Sequence, residues 1–115
     1  MTATTIDIVW LDVCALEDIP QRGARRIGNA ARPVAIFRTG DDQVFALIDR
    51  CPHKQGPLSM GIVHGSSVTC PLHAMKVDLA TGELLGADKG KGCAPRIEVR
   101  LERGRVLIDA SALSS

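Results

Sequence analysis

No apolar run in this chain approaches the roughly 20 residues that a membrane-spanning helix needs. Met1-Thr2-Ala3-Thr4-Thr5 has neither the basic start nor the apolar stretch of a secretory signal. The expectation is a cytoplasmic chain with no membrane partner. Charge of one sign is also missing: 14 Lys and Arg against 13 Asp and Glu leave a net charge of +1, and the basic residues are scattered. A nucleic-acid partner is therefore not expected. With 115 residues there is room for one core and not for two. Repeats, low-complexity tracts and glycine-rich nucleotide fingerprints are absent, and no acid-base pair stands out. Tyrosine is absent altogether, and Trp10, Phe37 and Phe45 are the whole aromatic content.

What is present points to strands and turns. Valine and isoleucine are frequent, and 11 glycines and 6 prolines punctuate them. Arg96, Glu98 and Arg100 alternate with Ile97, Val99 and Leu101, a period of two that puts one face in a core. Glu102-Arg103-Gly104 turns that strand back into Val106 to Ile108. Pro33 to Arg38 and Val44 to Asp49 form a second hairpin through Gly40-Asp41-Asp42. Ile6 to Val13 reads as a further strand, with Trp10 in the core. Ala15 to Ile19, stopped by Pro20, reads as a single helical turn, and Ser111 to Ser115 as a frayed end. Seven of the glycines and all three histidines fall between Cys51 and Gly92, a loop-rich insert inside an all-β frame.

The chemistry lies in that insert. Cys51-Pro52-His53 and Cys70-Pro71-Leu72-His73 each place a thiol beside an imidazole, and each follows an expected strand. The prolines stiffen both loops, so the side chains can face one point at little entropic cost. Four cysteines could form two disulfides, but two of them stand within three residues of a histidine, which favours metal ligation for Cys51 and Cys70. A structural zinc ion is one reading of two Cys and two His. Zinc sites, however, usually pair like with like, whereas one ligand of each type per loop suits two metals. One iron would take Cys51 and Cys70 and the other His53 and His73, the ligand logic of a Rieske 2Fe-2S centre. Cys14, in Val13-Cys14-Ala15-Leu16, reads as a small buried hydrophobe, Cys93 as an incidental thiol and His64 as a solvated turn residue. Lys54, Gln55 and Lys76 are near the ligands in sequence and read as exposed groups that tune the local field at most.

These two segments, with Val77-Asp78-Leu79-Ala80-Thr81-Gly82-Glu83 after them, resemble the Rieske iron-sulfur domain over nearly the whole chain. Within that family Gly56-Pro57-Leu58-Ser59, Gly61-Ile62-Val63-His64-Gly65 and Gly86-Ala87-Asp88 resemble the small subunit of assimilatory NAD(P)H-dependent nitrite reductase. The resemblance implies an all-β fold of stacked antiparallel sheets spanning residues 1–115. A small two-loop cluster-binding subdomain would occupy residues 50–76. It implies one 2Fe-2S cluster per chain, held by Cys51, His53, Cys70 and His73. It implies electron transfer as the function, in the service of an oxidoreductase that reduces nitrite to ammonia on a separate large subunit with flavin and siroheme. The isolated chain would carry electrons only. The alternative is a free Rieske ferredoxin that serves an aromatic-ring oxygenase or a monooxygenase and takes electrons from its reductase; Ala74 and Met75 replace the glycine and aromatic residue common in such ferredoxins and weigh modestly against it.

Two departures from the wider family bear on redox poise. High-potential members tie their loops with a disulfide, whose positions here are Gly56 and Leu72, and they aim serine and tyrosine hydroxyls at the cluster sulfurs. Met75 stands at the serine position, and tyrosine is lacking. Fewer donors stabilise the reduced cluster less, which places the potential near the low end of the Rieske span of about −150 to +300 mV. Pro52, Pro57, Leu58, Pro71, Leu72 and Met75 give the two loops an apolar character that reads as a docking surface for the redox partner.

Overall fold

The computed structural model describes residues 9–28, 33–50, 57–70, 75–86, 89–90 and 92–110. Ten strands run through them: β1 (Trp10–Ala15), β2 (Gly23–Gly28), β3 (Pro33–Arg38), β4 (Val44–Ile48), β5 (Ile62–His64), β6 (Ser67–Thr69), β7 (Lys76–Asp78), β8 (Arg96–Ile97), β9 (Val99–Glu102) and β10 (Arg105–Asp109). They form three antiparallel sheets in the orders β1-β10-β9, β2-β3-β4-β8 and β5-β6-β7. The expected all-β class is therefore what the chain adopts. No helix among the described residues is long and apolar enough to cross a membrane.

The middle sheet is covered on both faces, which explains the unbroken apolar run of β3. Val34 and Ile36 enter one core with Cys14, Ala46, Val106 and Ile108. The alternate residues Ala35 and Phe37 enter a second core with Leu47, Leu58, Val68, Cys70 and Val77. Period two sends successive side chains to opposite faces, so a strand with two buried faces has no polar positions to alternate with.

The β3–β4 hairpin forms as expected, its loop closed by Thr39 N–H donating to the Gln43 carbonyl at 2.9 Å. The β9–β10 hairpin also forms, with Glu102 opposite Arg105 and a two-residue turn at Arg103 and Gly104, whose φ angles of 51° and 77° match the twist of the strands. Leu16–Asp18 is a single 3₁₀ turn, as the proline predicts, and Asp18 Oδ2 accepts the Ala15 N–H at 3.0 Å.

Four expectations need correction or extension. The run from Arg96 to Leu101 is not one strand: Ile97 pairs with Ala46 in the middle sheet, whereas Val99 to Glu102 pair with β10 in the first. The chain changes sheets at Glu98, so Leu101 is exposed despite its place in the alternation. Trp10 is not core; it is half-buried, with the Arg100 guanidinium 5.0 Å from its ring centroid, a surface cation–π contact. The first described strand continues to Ala15, past the expected end at Val13, and residues 6–8 lie outside the described residues, as does the expected frayed end 111–115. Strand β2 and the short strands β5 to β7 have no counterpart in the sequence reading: three-residue strands are too short to show a period, and β2, with a glycine at each end and adjacent Arg25 and Arg26, does not alternate.

Candidate metal centre

The segments that bear the candidate ligands lie before and within the third sheet, the first between β4 and β5 and the second between β6 and β7. The first loop leaves β4 at Asp49 and re-enters at Pro57, ahead of the 3₁₀ turn Leu58–Met60; the second runs from Cys70, just past β6, to Met75, just before β7. Cys51 and His53 of the first loop, His73 of the second, and Pro52, Lys54, Gln55, Gly56, Pro71, Leu72 and Ala74 lie outside the described residues. Of the four candidate ligands, Cys70 is therefore the one whose surroundings are described.

Cys70 is 1% exposed and packs in the core that also holds Leu58, with Met75 against it. Its backbone N–H donates to the Met75 carbonyl at 2.7 Å, which pinches the chain on either side of residues 71–74. Register Thr69↔Lys76 continues the ladder directly behind that pinch. The described residues on either side of 71–74 are thus tied by a backbone bond and rooted in apolar packing. Cys14 and Cys93 are free thiols.

Gly61 brings the chain that follows residues 51–56 against the chain that precedes residues 71–74. Its N–H closes the 3₁₀ turn on the Leu58 carbonyl at 2.9 Å, and its α-carbon lies against the end of β6. A Cβ there would collide with the Thr69 carbonyl oxygen and come within 2.9 Å of Val68 Cγ2. The exit of the first loop thus touches the residue before Cys70, an approach that only glycine permits. At the entrance of the same loop, Asp49 Oδ1 accepts the Ser59 N–H at 2.7 Å and Oδ2 accepts the Ser59 hydroxyl at 2.6 Å. Arg26 Nε lies 3.2 Å from Oδ2. Neither Asp49 nor Ser59 was singled out by sequence; the pair is ten residues apart, and nothing in its spacing betrays it.

The remaining residues with reactive side chains fall elsewhere. His64 is exposed at the β5–β6 turn opposite Ser67, two pairs away from Ile62↔Thr69, so the ladder holds it at the far end from Cys70. Cys14 is buried in the other core, and burial pushes its thiol up from the ordinary value. Cys93 is exposed, in an isolated bridge to Glu83. Among the described residues no three His, Cys, Asp or Glu converge on one point. Leu58, expected on a docking surface, is instead fully buried, because the 3₁₀ turn directs it into the core; Met60 and Ile62 next to it are 72% and 62% exposed.

The donor set fits a 2Fe-2S cluster of Rieske type: a buried thiol beside the Cys70–Met75 backbone bond, with thiol and imidazole donors split equally between two short segments of the sequence. Comparison with known proteins agrees. Residues 9–109 match the model of the Rieske-like 2Fe-2S domain. The chain is 34% identical over 116 residues to the anthranilate 1,2-dioxygenase ferredoxin subunit of Burkholderia cepacia, covering 95% of this chain and 98% of that one. A chain of the complex of reduced oxygenase and oxidized ferredoxin in carbazole 1,9a-dioxygenase superposes with a TM-score of 0.76 at 31% identity, covering 90% of this chain and 94% of that one. A protein described as the NADH-dependent nitrite reductase small subunit of Mycobacterium tuberculosis shares the fold, with a TM-score of 0.78 at 24% identity over 90% of this chain and 96% of that one. The chain belongs to the Rieske-like 2Fe-2S domain family, and its chemistry is electron transfer through a 2Fe-2S cluster in an oxidoreductase system.

Proposed function

We propose that this chain is a Rieske ferredoxin that passes electrons to an oxygenase, with Cys51 and Cys70 on one iron of its cluster and His53 and His73 on the other. The observation that carries the reading is the end-to-end likeness to the anthranilate dioxygenase ferredoxin subunit, in which nearly the whole of each chain is matched. The cluster supplies one-electron transfer when bound. The chain's own residues do the rest: Leu58, Cys70 and Met75, which flank the two ligand segments, meet at one core, and Gly61 abuts Thr69, the neighbour of Cys70. Met60 and Ile62, apolar and exposed beside the end of β6, supply the contact face for the partner in place of Leu58. A second reading, the small subunit of an NAD(P)H-dependent nitrite reductase, keeps the support of the loop residues Gly56-Pro57-Leu58-Ser59 and of a fold likeness with a TM-score of 0.78.

Reconstitution separates the two. The chain is added to an oxygenase and reductase encoded near it, and separately to a flavin and siroheme reductase subunit, while NAD(P)H oxidation and product are followed. The ferredoxin reading expects turnover in the first mixture, reduced several-fold by Ile62→Asp. Stimulated nitrite loss in the second mixture, with no turnover in the first, would establish the nitrite reductase reading instead.

A further inference from the structure

Asp49 is the one charged residue buried among the described residues, its side chain 0% exposed. Removing a carboxylate from water is costly unless hydrogen bonds replace the lost hydration. The strand does not need it: the Asp49 N–H already donates to the Pro33 carbonyl and the Ile48 N–H to the Pro95 carbonyl, both at 2.9 Å. The side-chain bonds go instead across the base of the first loop, to the backbone and hydroxyl of Ser59, and outward to the half-exposed Arg26 on β2. Ser59 stands two residues before Gly61, which abuts Thr69, the neighbour of Cys70. One run of contacts therefore joins the entrance of the first loop, its exit and the root of the second.

We propose that Asp49 is a positioning residue for the cluster: bonded to Ser59 and Arg26, it ties together the two described ends of the first ligand segment and thereby slows loss of the cluster. Asp49 also stands two residues from Cys51, within about 8 Å along the chain. A negative charge there opposes the arrival of an electron and holds the midpoint potential down. The inference rests on the reading of Cys51 and His53 as ligands. Iron and acid-labile sulfide in the unaltered holoprotein, about two of each per chain, test that reading separately.

The experiment follows loss of the cluster's visible absorption in holoprotein held with an iron chelator at neutral pH, together with the midpoint potential. Ser59→Ala and Asp49→Asn should lose the cluster about tenfold faster, as removal of a hydrogen bond to a charged group implies. Ser59→Thr, which keeps the hydroxyl, should stay near the unaltered rate. Ile108→Val lowers the melting temperature from the other core and should leave the rate unchanged. Asp49→Asn should also raise the midpoint potential. If Asp49→Asn does not fold, Arg26→Gln and Ser59→Ala carry the test. Cluster loss from Ser59→Ala at the unaltered rate, or loss from Ile108→Val as fast as from Ser59→Ala, would overturn the proposal.

Discussion

The two faces of β3 look onto two unlike halves of the molecule. On the side of Val34 and Ile36 the partner sheet consists of β1, β9 and β10, strands of four to six residues, with a two-residue turn joining the last two. On the side of Ala35 and Phe37 the partner sheet consists of β5, β6 and β7, three residues each. Long ladders distribute the holding force over many backbone bonds. Short ones cannot, and the half that carries the loops relies on individual contacts: the Cys70–Met75 backbone bond, the Gly61 approach to Thr69 and the Asp49–Ser59 pair. A scaffold can be regular where it only supports, while a ligand site needs irregular backbone anchored at chosen points.

Removing the thiol at the root of the second loop breaks the comparison most directly. Cys70→Ser should abolish the cluster, with iron content falling to background, while the strand signal in circular dichroism persists because the other core is untouched. Cys14→Ser and Cys93→Ser should spare the cluster's visible spectrum, the first at a cost in melting temperature for burying a hydroxyl.

Truncating one residue in each core sharpens the contrast. Leu58→Ala should cost about 2–5 kcal/mol, and Ile108→Val about 0.5–1.5 kcal/mol, by chemical denaturation. The difference expected beyond size is in the holoprotein: Leu58→Ala should hasten cluster loss as well, since Leu58 shares its core with Cys70, whereas Ile108→Val should not.

Gly61→Ala should cost about 1–3 kcal/mol, the penalty of overpacking, because the new methyl meets backbone that cannot rotate away. A melting temperature equal to that of the unaltered protein would show that the two loops do not depend on this approach.

The smallest effect belongs to the ladder-rich half. Arg105 Nη2 bonds Asp12 Oδ1 at 2.8 Å across β1 and β10, and this hydrogen bond holds the Asp12 carboxyl below its ordinary value. A carboxyl lowered on folding contributes stability above the unfolded value, and the contribution is lost as pH falls through the folded one. The difference in stability between the unaltered protein and Arg105→Ala should therefore be small at neutral pH, as for any exposed pair, and shrink below about pH 4. Urea titrations at the two pH values measure it.

Much of this was legible without coordinates where the determining contacts are local. The β9–β10 turn depends on adjacent Arg103 and Gly104, the 3₁₀ turn on Pro20, and the family resemblance on two short segments of characteristic Cys and His spacing. Cys14 could be assigned to a core from its apolar neighbours alone. Leu58 could not be placed: its neighbours in sequence made it look like part of an exposed loop, and its burial depends on a core it shares with residues as distant in sequence as Phe37 and Val77.

The sequence by itself determined the all-β class and the family, because residue type, short spacing and period-two patterning act within a few residues of each other. Only the tertiary structure decided that the run from Arg96 to Leu101 is divided between two sheets, that Trp10 lies under Arg100 at the surface, and that Asp49 reaches Ser59 across a loop. Each of those outcomes depends on which strand becomes a neighbour. That choice is made by burying β3 on both faces at once, a cooperative gain shared by residues from Cys14 to Ile108 that no local window contains.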